Sequence, residues 1–306
     1  MLGLVLALLA ALSWGVSDFL GGMATRTVPV IRVLAVSQPI GLVLCTVALV
    51  ISGQSLPAGW HLLQALAAGV AAVVALGLLY LALAHGNAVI VAPIAATGAA
   101  VPVAIGIALG DPMTGVTGIA TLLALTGIVA ASWESGDETA AGSADRHSRG
   151  ATIGLALGAA LATGLYLTLI NLASESGQYL GVVQALRLAA SVVAVIAYLC
   201  WHATIRDPRR RAQRSPGVPA DPAARRRSGL LLLAMAGVGA TDAVAEACYA
   251  GASTRGVLSV VAVLAGLYPV VTVALSLLVL RQRVQLVQGL GAVAALTGVL
   301  LFTASS

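Results

Sequence analysis

Across 306 residues the chain is 59% hydrophobic and 9% charged, too little polar surface to coat a water-soluble globule of that size, so its natural solvent is a bilayer. The formal net charge is +5, and all sixteen basic side chains are arginines. Without lysine there is no phosphate-reaching P-loop lysine and no Schiff-base lysine, so any work the chain does must come from a gradient or a partner.

Ten apolar segments follow one another, each about 20 residues long, enough to cross about 30 Å of hydrocarbon at about 1.5 Å per residue. They are expected at 2–21, 28–51, 61–84, 88–109, 114–131, 152–173, 179–201, 229–250, 256–280 and 285–303. The opening MLGLVLALLAALSWG has neither the basic n-region nor the cleavage site of a signal peptide, and reads as the first span. A charge at mid-membrane costs about 2.5–3.5 kcal/mol, which makes each one a functional candidate.

In the first span Trp14 precedes Asp18 by one turn, an aromatic wall for stacking or cation–π contact beside a charge; an interfacial aspartate is the plainer alternative. The second span holds Arg32, Gln38 and Pro39, and the third ends near Tyr80. Pro93 and Pro102 in the fourth span and Pro269 in the ninth each remove a backbone hydrogen bond and allow a helix kink beside a cavity. Tyr166, Asn171 and Gln38 are polar groups suited to hydrogen bonding between helices.

The seventh span places Gln184, Arg187 and Ser191 on one face. The planar fork of Arg187 could meet the carboxylate of a substrate or serve as counter-ion to Asp18, Asp242 or Glu246. In the eighth span Gly239, Asp242, Glu246 and Tyr249 share a face. Two carboxylates one turn apart in low dielectric suit proton uptake and release, or binding of a cation; a structural ion pair with Arg187 is the alternative. Cys45, Cys200 and Cys248 all fall in spans without CxxC spacing, and His61, His85, His147 and His202 do not cluster, so no metal site, disulfide or cofactor is expected.

The second half of the chain echoes the first. GIATLLALTGIVAAS at 118–132 aligns with GLGAVAALTGVLLFTAS at 289–305, Tyr80 pairs with Tyr249, Pro102 with Pro269, and IRVLA at 31–35 with LRLAA at 186–190. Five spans per copy is an odd number, so the copies enter the membrane from opposite sides as inverted repeats. The expected fold is therefore all-α and integral to the membrane, with ten transmembrane helices in two inverted five-helix repeats. The repeats span 1–133 and 151–306, with a polar connection at 134–150 and an Arg-rich loop at 206–228.

SWG at 13–15, YLALAHGNAVIVAPIAATGAAVP at 80–102, VVAVLAGLYPVVTVALSLLVL at 260–280 and QGLGAVAALTG at 288–298 give the chain a resemblance to the EamA-type branch of the drug/metabolite transporter superfamily. The likeness runs over nearly the whole length. It implies that the first four helices of each half surround a central cavity while the fifth and tenth brace the edges. The family's Gly-Glu pair after the fourth and ninth spans is represented by Gly110-Asp111 and, in the second copy, by Arg281-Gln282-Arg283.

The arginines follow a sidedness. Arg26, Arg146, Arg149, the eight from Arg206 to Arg227, Arg281 and Arg283 fall on odd-numbered connections, while the even-numbered ones carry little beyond Arg255. Positive charge stays in the cytoplasm, so that loop is expected inside and both termini outside, an orientation opposite to the one the resemblance implies. The cluster is a topology signal that also suits anionic lipid headgroups, not a nucleic-acid site. A small residue every fourth position, at Gly150, Gly154 and Gly158, suits a close helix contact. An Ala-, Gly- and Arg-rich chain fits a bacterial plasma membrane. The expected function is gradient-driven, proton-coupled movement of a small metabolite, amino acid or drug-like compound by alternating access, with export as its direction. A flippase for an amphipathic lipid-linked cargo and a membrane enzyme are the alternatives. Two halves in one chain make a monomer sufficient.

Overall fold

The computed structural model describes residues 1–85, 91, 94–111, 114–131, 146–205, 222–280 and 285–305. Pro93, Arg281, Arg283, residues 134–145 and residues 206–221 of the Arg-rich loop lie outside them, as does the side chain of Tyr80.

The apolar segments form helices. In order these are α1 (Leu2–Thr25), α2 (Val30–Ser52), α3 (Gly59–His85), a 3-10 turn at Thr97–Ala99 running into α4 (Ala100–Ala108), α5 (Gly115–Ala131), α6 (Arg146–Ser174), α7 (Tyr179–Ile205), α8 (Pro222–Ser253), α9 (Leu258–Ala265), α10 (Tyr268–Leu280) and α11 (Leu286–Ser305). Seven stretches among the described residues are long and apolar enough to cross a bilayer, and three shorter apolar helices, Ile94–Ala108, Gly115–Ala131 and Leu286–Gly298, accompany them. The described residues are all-helical apart from turns and short connections, and the chain is a multi-pass membrane protein.

Two expected spans are interrupted. The fourth passes through the 3-10 turn before α4, and the ninth breaks between α9 and α10 at Gly266-Leu267. Pro102 is the third residue of α4 and Pro269 the second of α10. Both prolines thus occupy a first turn, where the missing N–H has no intrahelical acceptor to lose, and each interruption lies just upstream.

The outer surface is apolar: Val47, Ile51, Leu199, Leu233 and Leu278 are exposed, as lipid contact requires. Inside, the packing is built on small residues, with Ala7, Ala10, Ala68, Ala245, Ala250 and Ala265 in one cluster. Small side chains let backbones approach, which drives helix association where lipid removes the hydrophobic contrast. The most extensive helix contacts are α3 with α6, α5 with α11, α1 with α8, and α2 with α7, followed by α3 with α7, α2 with α8 and α1 with α10; α4 meets α9. Between α5 and α11 the repeated LTG motif is the seam itself: a Cβ on Gly298 would strike Ala120 O and Ala124 N, each at 2.7 Å, and one on Gly127 would strike the Ala295 backbone.

One end of the bundle is closed by polar contacts between the first 131 residues and the rest. Ser55 Oγ donates to Gln178 Oε1, Leu180 N donates to Gln54 Oε1 at 3.1 Å, and Ser259 N donates to Asp111 Oδ2 at 2.8 Å. Arg255 lies over the Tyr179 ring at 5.7 Å, on the same end. This is the end where Met1 begins α1.

Candidate functional site

Helical periodicity brings the polar residues of four spans to one place. Arg187 sits eight residues into α7, about 12 Å from that helix's start, and is fully buried. Its Nε lies 2.6 Å from Glu246 Oε2 and its Nη2 lies 3.0 Å from Asp242 Oδ2. Its Nη1 donates to Gln38 Oε1 at 2.8 Å. Glu246 also accepts from the Tyr166 hydroxyl at 2.8 Å. One guanidinium therefore ties α2, α7 and α8 together, and Tyr166 adds α6.

That arrangement needs space, which two glycines supply. A Cβ on Gly41 would stand 3.0 Å from Arg187 Nη1 and 2.9 Å from Gly239 O. The crossing of α2 over α8 can close only with both side chains missing, and closing it brings Gln38 against the guanidinium.

Beside this cluster lies a cavity of about 160 Å³. Trp14, Asp18, Gln38, Tyr166, Asp242 and Tyr268 are among its lining residues, together with Thr163 and alanines and leucines of α3 and α6. Its residues on α1 and α3 come from the later parts of those helices, so it extends from the ionic cluster away from the closed end. Asp18 is exposed to it. No counter-ion reaches Asp18 among the described residues. Asp242 is about one-fifth exposed, whereas Glu246 is 3% exposed.

The aromatic residues form one group. The Trp14 ring lies 5.6 Å from Tyr249, 6.3 Å from Tyr166 and 6.4 Å from Tyr268, the last two edge to face. Tyr249 is fully buried behind Trp14 and donates to Leu167 O at 3.2 Å, so it supports the wall without lining it.

Of the residues singled out from sequence, Trp14, Asp18, Arg187, Asp242, Glu246 and Tyr249 converge here. Gln184 does not: its Nε2 donates to Thr46 Oγ1 at 2.9 Å, on the α2–α7 contact. Pro102 and Pro269 lie outside the lining, although Gly266 and Tyr268 beside the second interruption are part of it. Gln38 and Tyr166, expected only to bond between helices, do so with the charged cluster itself. Tyr268 escapes the sequence reading; its one signal is a hydroxyl-bearing ring directly before a proline in an otherwise apolar span. No group of three or more His, Cys, Asp or Glu among the described residues has metal-binding geometry.

Comparison with known proteins agrees with this architecture. No curated protein matches the chain. A solved structure described only as "Crystal structure of protein" superposes with a TM-score of 0.74 over 99% of this chain and 96% of its own, at 16% identity, a likeness of fold alone. The profile of the EamA-like transporter family matches residues 1–133 and 150–304. The chain, with its spans built around a buried ionic cluster, belongs to the EamA-like transporter family.

Proposed function

We propose that the protein is a gradient-driven exporter that carries a small organic solute through the central cavity by alternating access, in exchange for protons. The observation that carries this reading is the exposed carboxylate of Asp18 on a cavity whose walls come from both halves of the chain. A carboxylate within a membrane span, open to a cavity and without a counter-ion, is a group that can alternately hold a proton and a cargo. Asp242 and Glu246 share the Arg187 guanidinium, and their role in this scheme is to hold that wall in shape.

The halves, 1–133 and 151–306, act as inverted five-helix repeats. Support comes from the helix contacts: exchanging each span for its partner five places on turns the α1–α8 contact into the α6–α3 contact and returns the α2–α7, α4–α9 and α5–α11 contacts to themselves. Such a pair has two nearly equivalent ways to rock, one opening each end. The arginine distribution supports an orientation with the closed end, and the first residue of α1, outside and the cavity's far end toward the cytoplasm of a bacterial plasma membrane.

Everted membrane vesicles carrying a respiration-driven pH gradient test the reading even while the cargo is unidentified. At least one fraction of a cell extract should discharge the gradient with the wild-type protein and fail to do so with Asp18→Asn at equal membrane level. If no fraction separates the two proteins, proton-coupled transport through Asp18 is wrong.

A further inference from the structure

We propose that the cavity takes a compact organic cation, an ammonium group on a single apolar ring, with the nitrogen between Asp18 and Asp242 and the ring against Trp14, Tyr166 and Tyr268. The inference rests on the transporter reading and narrows its cargo.

Charge comes first. Three carboxylates, Asp18, Asp242 and Glu246, line the cavity, and the one guanidinium beside it is paired with two of them, Asp242 and Glu246. Arg187 has no free face to offer an anionic cargo: it is fully buried, its three nitrogens are turned to Gln38, Asp242 and Glu246, and it does not line the cavity. No other basic side chain among the described residues lines it either. An anion placed there would meet uncompensated carboxylate oxygens in a low-dielectric setting, whereas a cation would supply the missing charge.

The walls give the second constraint. Trp14, Tyr166 and Tyr268 are grouped next to those carboxylates, and an aromatic face within about 6 Å of an ammonium adds cation–π attraction to the ionic one. Apart from Gln38, Thr163 and Gly266, the rest of the wall is alanine and leucine, a mainly apolar lining that favours an apolar body. Size is the third. A void of about 150 Å³ accommodates one benzene, and this cavity measures about 160 Å³. A single six-membered ring with a short amine matches that volume.

Benzylamine, benzyl alcohol and benzoate are near-isosteric probes differing in charge. Titrated against the purified full-length protein and followed by tryptophan fluorescence and thermal unfolding, benzylamine should bind saturably and raise the unfolding temperature. The alcohol and the acid should bind weaker by about tenfold or more. Asp18→Asn should lose benzylamine affinity by a similar factor. The wild-type ligand series decides the matter even if that variant fails to fold. Equal or tighter binding of benzoate or benzyl alcohol, or no saturable benzylamine binding, overturns the proposal. An anionic or neutral solute exported by the wild type would leave the transporter reading standing and remove the cation. Benzylamine binding without any solute flux would do the reverse.

Discussion

Arg187 on α7 and Glu246 on α8 meet at 2.6 Å, with the Tyr166 hydroxyl donating to the second carboxylate oxygen at 2.8 Å. The contact is buried on both sides, and deleting one member of such a pair strands the other's charge. Arg187→Met should therefore destabilise the protein by about 3–5 kcal/mol. Adding Asp242→Asn and Glu246→Gln to that variant should restore a large part of the loss, because the stranded charges are removed. Unfolding of the purified proteins in detergent reads both effects; a triple variant as unstable as the sum of its parts would argue against a shared ionic cluster.

Gly41 is the second structural test. Its missing Cβ makes room for Gly239 O and Arg187 Nη1, so Gly41→Ala should cost about 1–3 kcal/mol as overpacking. Gly77 on α3 has nothing within 4 Å of the corresponding position. Gly77→Ala should be neutral or mildly stabilising, since alanine is the better helix former. Equal effects at the two sites in thermal unfolding would contradict the described α2–α8 crossing.

At the closed end, Asp111 accepts from Ser259 N in the first turn of α9 and so caps that helix from the far half of the chain. Asp111→Ala should lower stability by about 1 kcal/mol, and Asp111→Asn, which keeps an acceptor, by less. The order of the two unfolding temperatures is the test.

Orientation is checked by labelling. In a background with Cys45, Cys200 and Cys248 replaced, cysteine at Ser52, on the exposed closing end of α2, should react with a membrane-impermeant maleimide in intact cells. Cysteine at Ser215 should react only after lysis. The reverse pattern would place both termini in the cytoplasm.

The spans are legible in the sequence because apolar runs of that length have no other use, and the LTG seam is legible because the same small residues recur at matching places in both halves. The ionic cluster is legible only as a set of alternatives. Periodicity puts Asp242 and Glu246 on one face, but which side chain Arg187 chooses depends on contacts across 149 residues to Gln38 and 55 and 59 residues to the two acids. Local pattern is silent at those separations. Tyr166 and Gln38 look like ordinary interhelical donors for the same reason. The two helix interruptions sit upstream of the prolines, in Thr97–Ala99 and Gly266-Leu267, where small residues carry little signal of their own. The glycines at 150, 154 and 158 suggest a close helix contact, yet a Cβ at Gly150 or Gly154 would meet nothing within 4 Å, and only Gly158 approaches a neighbour, Leu78 at 3.2 Å.

The most direct test of the account compares the medium and cell extracts of a host producing either the wild-type protein or Asp18→Asn at matched membrane levels, by untargeted mass spectrometry. The account predicts at least one small solute that gathers outside only with the wild type. A solute exported equally by both proteins would contradict it, because Asp18, the exposed carboxylate of the cavity, would then have no part in transport.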